Sequence, residues 1–310
     1  MRTVESTWRR RWRGFWQLAD PKIWIASTVP LLIATALAYA KTGIFHIGWF
    51  VFALLGIYLI EIGKNAINEF IDYYTGVDRY VAADKRTPFS GGKKTIVDGR
   101  LSLGETALIA LTTLGAAFAV GVLIAWFREP HVFWIGMIGG VLAVAYSLPP
   151  FKLNYNGLGE CAVGLAFGPL LISGMYLMMT GQLDGQIAAI GIPIAFLVMA
   201  ILWINQYPDY EADLRGGKRN WLVRLGKRPG LIVYGSLFIC AYLSLIVLAW
   251  TTGNLYWLLA LATIPLAWRS VRAAVRHLED LPRFLAANAG TIQVYQLIGL
   301  TMIAAALLGG

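Results

Sequence analysis

The feature that most constrains this chain is a series of long apolar runs separated by short polar loops. The 310 residues are 58% hydrophobic and only 14% charged, whereas a soluble domain carries about 25% charged residues. An apolar helix of about 20 residues crosses the hydrocarbon core of a bilayer, because each residue adds about 1.5 Å. The pattern therefore predicts an all-α integral membrane protein.

Nine segments have the composition of spanning helices, and we expect them to surround a central cavity. They are roughly residues 23–40, 45–72, 104–127, 131–147, 158–179, 186–209, 230–251, 255–271 and 291–308. The fourth, eighth and ninth are short, and Pro265 falls inside the eighth. We divide the chain into a basic N-terminal segment, 1–22, and one membrane domain, 23–310. Within that domain we expect loops 73–103 and 210–229 to cover the site.

Basic residues fall almost entirely on one side of this arrangement. That side contains the N-terminus and the loops after the second, fourth, sixth and eighth segments, whereas the other side has only Lys41 and Arg128. Loops rich in Lys and Arg stay in the cytoplasm. We therefore expect a multi-pass protein of the cytoplasmic (inner) membrane, with its N-terminus and site loops on the cytoplasmic side. The net charge of +9 then matches anionic membrane lipid better than nucleic acid.

Two polar clusters interrupt the apolar pattern at the cytoplasmic ends of the second and sixth segments. They comprise Asn68, Asp72 and Asp78 in the first cluster and Asn205, Asp209 and Asp213 in the second. Each begins with the pattern Asn-x-x-x-Asp, and residues four apart share one face of a helix. We therefore expect the Asn and the first Asp of each cluster to point the same way. Carboxylates beside hydrocarbon are costly, so that face must line a protein cavity and indicates a function.

The chemistry that fits two such clusters is the binding of Mg²⁺ together with a diphosphate. Mg²⁺ prefers oxygen ligands and commonly shares them with phosphate groups. Facing carboxylates would hold two or more ions bridged by the diphosphate, while the asparagines orient the carboxylates or add a carbonyl ligand. Glycine-rich basic loops follow both clusters, at 86–94 and 213–220, and supply cations for the phosphate oxygens. The neutralised diphosphate is then a good leaving group.

Simpler interpretations stay open for several of these residues. An Asp just outside a membrane is often only a solvated helix end, and loop lysines and arginines also serve as topology signals. Glu61 and Asn65 extend the polar face of the second segment. Glu61 and Lys64, however, also have the spacing of an intrahelical ion pair that takes no part in catalysis.

The clusters resemble the two aspartate-rich motifs of the UbiA-type intramembrane prenyltransferases. The motifs read Asn68-Glu69-x-x-Asp72-x-x-x-Gly76-x-Asp78 and Asn205-x-x-x-Asp209-x-x-x-Asp213, the latter followed by Gly217-Lys218-Arg219. Between them, Tyr146-Ser147-Leu148-Pro149-Pro150-Phe151-Lys152 and Gly157-Leu158-Gly159-Glu160 resemble the stretch after the fourth helix of that family. The resemblance extends from about Pro21 to the end of the chain. The sequence departs from the pattern at Glu69, where an Asp is frequent, and at Asp20, where many relatives have Arg.

This resemblance implies a UbiA-type fold and Mg²⁺-dependent transfer of a polyprenyl group from a prenyl diphosphate to an aromatic acceptor. The implied metal ligands are Asp72, Asp78, Asp209, Asp213 and Glu69. The implied diphosphate-binding residues are Asn68, Asn205, Lys218, Arg86 and Arg219. The implied catalytic residues are Asp72, Asp209, Tyr146 and Lys152. Of these, Tyr146 shields an allylic cation with its ring.

Within that family, the Gly-Leu-Gly-Glu stretch and the motif spacings are most similar to 1,4-dihydroxy-2-naphthoate polyprenyltransferases of menaquinone biosynthesis. Prenyltransferases that use 4-hydroxybenzoate and chlorophyll synthases share the core motifs, so the acceptor, the prenyl length and the oligomeric state stay open. A transporter with acidic ion sites is the alternative from another class, but it would place the carboxylates near the bilayer midplane. A phospholipid phosphotransferase would need a denser carboxylate motif on one helix.

Overall fold

The computed structural model describes residues 6–81, 86–89 and 92–309, and within these ranges the regular structure is entirely helical. Eight helical stretches there are long and apolar enough to cross a membrane, and Val132–Ala145 is an apolar helix of shorter length. This architecture agrees with the predicted all-α membrane fold. Residues 82–85 and 90–91 of the predicted covering loop 73–103, and residues 1–5 of the predicted N-terminal segment, lie outside the described residues.

The α-helices are numbered in chain order. They are α1 (Thr7–Ala19), α2 (Ile25–Thr42), α3 (Ile47–Thr75), α4 (Leu103–Phe127), α5 (Val132–Ala145), α6 (Gly159–Leu165), α7 (Leu171–Thr180), α8 (Gly185–Ile190), α9 (Ile192–Asn205), α10 (Tyr210–Arg215), α11 (Trp221–Leu225), α12 (Lys227–Thr252), α13 (Ile264–Arg276) and α14 (Leu281–Leu308). A π-helical segment, Ala166–Leu170, joins α6 to α7. Segments of 3-10 helix lie at Pro21–Trp24, Val77–Arg79 and Leu255–Thr263.

Local sequence explains where the helices that carry the site begin and end. Helix α3 ends at Thr75 because the next residue, Gly76, has a φ of 88°, a left-handed conformation that favours glycine. Helix α4 begins with a capping box, in which Ser102 accepts from the backbone of Glu105 and the Glu105 side chain accepts from the backbone of Ser102. The first acidic motif therefore ends one helix and continues into a turn.

Two of the predicted segment boundaries are wrong. The sixth segment, predicted as 186–209, is interrupted between α8 and α9 and ends at Asn205. Pro208 disfavours a helical conformation for the residue before it. Asn205 and Asp209 therefore do not share a helix face, although their spacing predicts that they do. The ninth segment, predicted as 291–308, begins at Leu281, where the side chain of Asp280 caps the helix. Pro265 lies in the first turn of α13, where proline is tolerated.

The centre of the bundle lies along α14. Val294, Tyr295, Ile298 and Met302 of this helix are completely buried. The hydroxyl of Tyr295 donates to the backbone oxygen of Ala26 at 2.7 Å and so joins α14 to α2. Large apolar side chains on the outer helix faces are exposed, as expected of surfaces that face lipid.

Helix α1 occupies most of the basic segment predicted at 1–22 and packs against the end of α3. Leu18 is completely buried in a small apolar cluster with Ala66 and Leu101. The side-chain amide of Asn65 in α3 donates to the backbone oxygen of Leu18 at 3.1 Å. Part of the polar face predicted for the second segment therefore holds α1 in place.

Candidate active site

Asp72 is the centre of the polar cluster at the end of α3. It is 1% exposed, and three donors contact its carboxylate. Oδ1 accepts from the hydroxyl of Tyr155 at 2.7 Å. Oδ2 accepts from Nδ2 of Asn68 at 3.0 Å and from Nζ of Lys218 at 2.7 Å. The predicted pairing of Asn68 with Asp72 on one helix face is therefore present.

Lys218 connects the two acidic motifs. Its Nζ lies 2.7 Å from Oδ2 of Asp72 and 3.6 Å from Oδ1 of Asp213. Asp213 is oriented from its other side by Asn220, whose Nδ2 donates to Oδ2 at 3.0 Å. Burial lowers the pKa of Lys218, but the two carboxylates outweigh it and raise that pKa well above its usual value. The lysine therefore carries a fixed positive charge between the motifs.

Asp78 is a buried acid whose carboxylate forms few contacts with the described residues. The residue is 2% exposed, and its Oδ2 has no hydrogen-bond partner among the described residues. Nζ of Lys94 lies 4.0 Å from Oδ1, and the backbone of Gly92 is so close that an added Cβ would overlap with the carboxylate. Burial, followed by the charges of Asp72 and Glu69, raises the pKa of Asp78 to about 8. This carboxylate is costly in its ionised form and lacks a strong cationic partner.

The second motif is similarly crowded with negative charge. Asp209 and Asp213 are both buried, at the start of α10 and within it. Burial raises the pKa of Asp213 to about 7 although Lys218 opposes this, and Asp209 and Asp72 raise it further. The carboxylates of Asp72, Asp78, Asp209 and Asp213 thus form one acidic cluster with Lys218, and their mutual repulsion favours any additional cation.

The residues of this acidic cluster fit a divalent cation that is held jointly with a ligand. The oxygen donors suit Mg²⁺, and Oδ2 of Asp78, which no described residue contacts by a hydrogen bond, is available to it. No group of three His, Cys, Asp or Glu side chains in the described ranges converges closely enough to form a complete metal site. Mg²⁺ commonly keeps several waters and binds through one or two carboxylates plus phosphate oxygens, so a bound diphosphate would supply ligands that the protein does not.

Asn68 is occupied at both ends of its side-chain amide. Nδ2 donates to Asp72, while Oδ1 accepts from Oγ of Ser147 at 2.9 Å and from Nδ2 of Asn154 at 3.1 Å. These bonds link α3 to the segment that follows α5. The geometry supports a role for Asn68 in orienting Asp72. Both polar atoms of its amide already form hydrogen bonds within the protein, so they are not available to a diphosphate.

Tyr155 is the principal contact that sequence reasoning missed. Its hydroxyl donates to Asp72 and is 2.8 Å from Oγ1 of Thr75. The Nζ atoms of Lys152 and Lys218 each lie 5.2 Å from the centre of its ring. The tyrosine therefore bridges a carboxylate and two ammonium groups. It lies inside the predicted loop after the fourth helix, but no local motif marks it.

Tyr146 and Lys152, the two further residues predicted to be catalytic, are both brought near the acidic cluster. Tyr146 directly follows α5, and its ring packs closely against Gly159 at the start of α6. Burial and then the charge of Glu160 raise its pKa well above the usual value, and Lys218 and Asp72 also act on it. Lys152 approaches the acidic cluster through the ring of Tyr155.

Glu69, which is predicted as a metal ligand, is contacted by the loop that carries Lys94. Its Oε2 accepts from the backbone nitrogen of Lys94 at 2.8 Å, and its Oε1 accepts from Thr95 at 3.0 Å and from the backbone nitrogen of Ile96 at 3.1 Å. The side chain is completely buried and satisfied by these three donors. The geometry therefore favours an anchoring role, in which Glu69 holds the loop that carries Lys94 beside Asp78.

Three predicted diphosphate-binding side chains are not brought to the acidic cluster. The guanidinium of Arg86 pairs with Asp98 at 2.6 Å. Arg219 is exposed, and its backbone nitrogen donates to the oxygen of Tyr155 at 2.9 Å. Oδ1 of Asn205 accepts from Nδ2 of Asn288 at 2.8 Å, a contact within the bundle. Among the predicted diphosphate-binding cations, the geometry singles out Lys218.

An apolar cavity of about 530 Å³ lies within the helical bundle. It lies between α3, α4, α5 and α7, and at one end it is lined by Leu148 and Pro149, which directly follow Ser147 of the Asn68 network. At the other end it reaches Ile124 and Val132. Several glycines of α5 line it, so their missing side chains leave the space open. The cavity can hold a long apolar group.

Fold and site together define a multi-span membrane protein that contains a buried polar site and an apolar cavity, as an intramembrane transferase of amphiphilic substrates requires. Comparison with known proteins makes this specific. The sequence model of the UbiA prenyltransferase family matches residues 27–292. The chain therefore belongs to the UbiA prenyltransferase family, and it is a prenyltransferase. The resemblance noted in the sequence is confirmed, and the transporter alternative is not.

Characterised relatives of similar length support this assignment. The chain is 28% identical over 265 residues to a 1,4-dihydroxy-2-naphthoate octaprenyltransferase of Bacillus subtilis, covering 84% of this chain and 82% of the relative. It is 27% identical to an enzyme of the same name from Haemophilus influenzae, over 77% of this chain and 78% of the relative. It is 26% identical to a 2-carboxy-1,4-naphthoquinone phytyltransferase of Synechocystis, over 89% of each chain.

Solved structures confirm the fold. A UbiA homolog from Archaeoglobus fulgidus superimposes with a TM-score of 0.68 at 16% identity, over 96% of this chain and 98% of that one. The same homolog bound to GPP and Mg²⁺ gives a TM-score of 0.64 at 16% identity, over 96% of this chain and 99% of that one. The predicted UbiA-type helical fold is therefore correct.

Proposed function

We propose that the protein transfers a polyprenyl group from a prenyl diphosphate to 1,4-dihydroxy-2-naphthoate in menaquinone biosynthesis, with Mg²⁺ as cofactor. The observation that carries the proposal is the bridge from Lys218 to Asp72 and Asp213, together with an apolar cavity. The named activities of the Bacillus and Haemophilus relatives support the choice of acceptor. The polar end of a prenyl diphosphate binds at the acidic cluster, and its chain lies in the cavity.

The diphosphate is held by residues of both acidic motifs. Lys218 is the cation that binds its oxygens, because its charge is fixed by Asp72 and Asp213. Lys94 lies beside Asp78 and contributes a second positive charge at the other edge of the acidic cluster. The Glu69 side chain accepts hydrogen bonds from the backbone nitrogens of Lys94 and Ile96, and the backbone nitrogen of Arg219 donates to the oxygen of Tyr155; these bonds position the loops that carry the two lysines. In this proposal the described parts of loops 73–103 and 210–229 cover the site.

Mg²⁺ would be held by Asp72, Asp78, Asp209 and Asp213, with Asp78 offering an oxygen that has no donor among the described residues. When bound, it neutralises the diphosphate and so stabilises this group as it leaves. Asn68 and Tyr155 keep the carboxylate of Asp72 in one orientation throughout. Such fixed polar groups stabilise developing charge more effectively than water does, because they need no reorganisation.

The remaining residues act on the prenyl carbon and the acceptor. The bond between the first prenyl carbon and the diphosphate oxygen breaks, and diphosphate leaves with the bonding electrons. The prenyl carbon then forms a new bond to an electron-rich carbon of the aromatic ring, and that ring carbon loses its proton, so the products are the prenylated ring, diphosphate and H⁺. The positive charge on the allylic carbon faces the ring of Tyr146, which stabilises it. The apolar walls of the cavity keep water from competing with the acceptor.

The side of the membrane follows from the basic loops, and we place this chemistry at the cytoplasmic face of the inner membrane.

The test is a transfer assay with the purified protein in lipid nanodiscs. Radiolabelled prenyl diphosphate is supplied with 1,4-dihydroxy-2-naphthoate or 4-hydroxybenzoate, in Mg²⁺ or in EDTA. We expect a prenylated naphthalene product that requires Mg²⁺, and much less product with 4-hydroxybenzoate. Equal or preferred use of 4-hydroxybenzoate would overturn the acceptor, and undiminished transfer in EDTA would overturn the metal requirement.

A further inference from the structure

An ion pair lies inside the spanning helix α3, deeper than the acidic cluster. Nζ of Lys64 donates to Oε2 of Glu61 at 2.8 Å. The other carboxylate oxygen, Oε1, accepts from the hydroxyl of Ser27 in α2. Glu61 is 3% exposed, whereas the Lys64 side chain keeps 20% of its surface accessible. The intrahelical pair considered from the sequence is therefore present, but only its cationic member borders open space.

The surroundings of Lys64 suit a polar ligand. A charge within a membrane span is costly and by default indicates a functional site. An ammonium group has three donors, and Glu61 is the only hydrogen-bond acceptor of Lys64 in the described ranges. Because the pair is neutral overall, it remains stable in the membrane while two N–H groups of Lys64 stay available.

An aromatic ring and an irregular helical segment lie beside the ammonium group of Lys64. Nζ of Lys64 lies 5.5 Å from the centre of the Phe167 ring. Phe167 belongs to the π-helical segment Ala166–Leu170, which contains Pro169. Such π-helical turns occur frequently at functional sites. Elements α2, α3 and the π-helical segment thus place a cation, its counter-ion and an aromatic surface together, a combination that fits an anionic aromatic molecule.

The distance between Lys64 and the acidic cluster indicates how long the anionic aromatic molecule can be. Lys64, Asn68 and Asp72 follow one another at intervals of four along one side of α3. Eight residues of helix span about 12 Å, so Lys64 and Asp72 are separated by roughly the length of a bicyclic ring plus a diphosphate group. A ring held by Lys64 at one end thus presents its other end toward the prenyl carbon at the acidic cluster.

We propose that Lys64 binds the carboxylate of the aromatic acceptor, with Glu61 and Ser27 positioning its ammonium group and Phe167 contacting the ring. This inference rests on the proposed function, because it assigns a site to the acceptor. The names of the Bacillus and Synechocystis relatives denote naphthalene rings that carry a carboxylate. Lys64 is therefore a specificity-determining residue, which favours acidic acceptors over the same rings without the acid group.

The test compares two ligands that differ only in the carboxylate. Binding of 1-hydroxy-2-naphthoate and of 1-naphthol is measured by fluorescence on the full-length protein in nanodiscs, for wild type and Lys64→Gln. We expect Lys64→Gln to weaken binding of the naphthoate by about 10- to 100-fold, as loss of a charged hydrogen bond does, and to leave 1-naphthol binding unchanged. Lys64→Arg retains a preference for the naphthoate.

A control separates ligand binding from folding. Lys64→Gln leaves Glu61 without its cation, so the Glu61→Gln/Lys64→Gln double variant is measured as well, since it removes both charges. The double variant should show the same selective loss. Equal weakening of both ligands in the double variant, or undiminished naphthoate binding in it, would overturn the inference. Because binding needs no turnover, failure of the transfer assay would count against the proposed function alone.

The same variants give a kinetic readout. With 1,4-dihydroxy-2-naphthoate as acceptor, Lys64→Gln should raise the KM for the acceptor by about tenfold or more and leave the KM for the prenyl diphosphate unchanged. An equal rise in both KM values would indicate a general distortion of the bundle and would contradict acceptor recognition by Lys64.

Discussion

Lys218 donates a hydrogen bond of 2.7 Å to Asp72, although 146 residues separate them in the chain. The same ammonium group lies 3.6 Å from Asp213, so one lysine neutralises a carboxylate from each acidic motif. The loop after α10 is thereby attached to the end of α3. The repulsion between the two motifs is offset by an internal cation that can also contact a diphosphate.

Replacing this lysine tests the bridge. We expect Lys218→Gln to reduce prenyl transfer by about 100-fold or more, because a fixed charge that stabilises the leaving group is lost. The matched control is Arg219→Gln, which removes a neighbouring positive charge whose side chain is exposed, and which should change activity by only a few-fold. Steady-state transfer assays at saturating Mg²⁺ give both values. Comparable losses in the two variants would contradict the assignment and indicate a general charge effect of the loop.

Asp78 should show a conflict between stability and activity. Its carboxylate is buried, one oxygen has no hydrogen-bond partner among the described residues, and burial with nearby negative charge raises its pKa to about 8. At neutral pH the carboxyl is ionised in the unfolded chain but mostly protonated in the folded protein without Mg²⁺, so folding costs the uptake of a proton. The neutral variant Asp78→Asn avoids this cost. We expect equal or higher thermal stability without Mg²⁺, together with loss of transfer and of stabilisation by Mg²⁺. Thermal unfolding with and without Mg²⁺ measures this, and a marked drop in stability without metal would contradict it.

Glu69 provides the contrasting case. Its three accepted hydrogen bonds hold segment 94–96, so Glu69→Gln replaces some acceptors by donors that repel backbone N–H groups. We expect faster amide hydrogen exchange in 92–98 and a partial loss of activity. The Mg²⁺ concentration that gives half-maximal activity should stay within about twofold of the wild-type value. A large rise in that concentration, with exchange unchanged, would restore the direct metal role that the sequence predicted.

Sequence patterns identified the parts of this protein that depend on local chemistry. Membrane helices follow from apolar runs, and the pairing of Asn68 with Asp72 follows from their spacing within one helix. Patterns failed where a contact depends on the path of the chain. The break at Pro208 separated Asn205 from Asp209, and Tyr155 reaches Asp72 only because the segment after α5 folds back on α3. Glu69 resembled a metal ligand in sequence, but a distant loop satisfies it.

Gly92 tests the close approach of the backbone to Asp78. A Cβ atom added at Gly92 would overlap with the Asp78 carboxylate, so Gly92→Ala must displace either the loop or the acid. We expect transfer to fall by about tenfold or more, as it does when catalytic groups are misplaced by about an ångström. Gly104→Ala is the matched control, since nothing lies within 4 Å of its added Cβ and alanine favours the helix. Activity in Gly92→Ala equal to that in the control would contradict the close approach.

The apolar cavity should determine the length of the prenyl chain. Gly140 of α5 lines it, and a Cβ at this position meets no atom within 4 Å, so Gly140→Leu extends into open space. We expect this variant to lower kcat/KM for an octaprenyl donor by about tenfold and to lower the value for a geranyl donor much less, because most of the longer chain must pass the added side chain. The matched control is Gly115→Leu, at an exposed position of α4 that does not line the cavity and that also has open space around an added Cβ. Competition between the two donors in one reaction measures the ratio directly. If Gly140→Leu and Gly115→Leu show the same ratio, the prenyl chain lies elsewhere in the bundle.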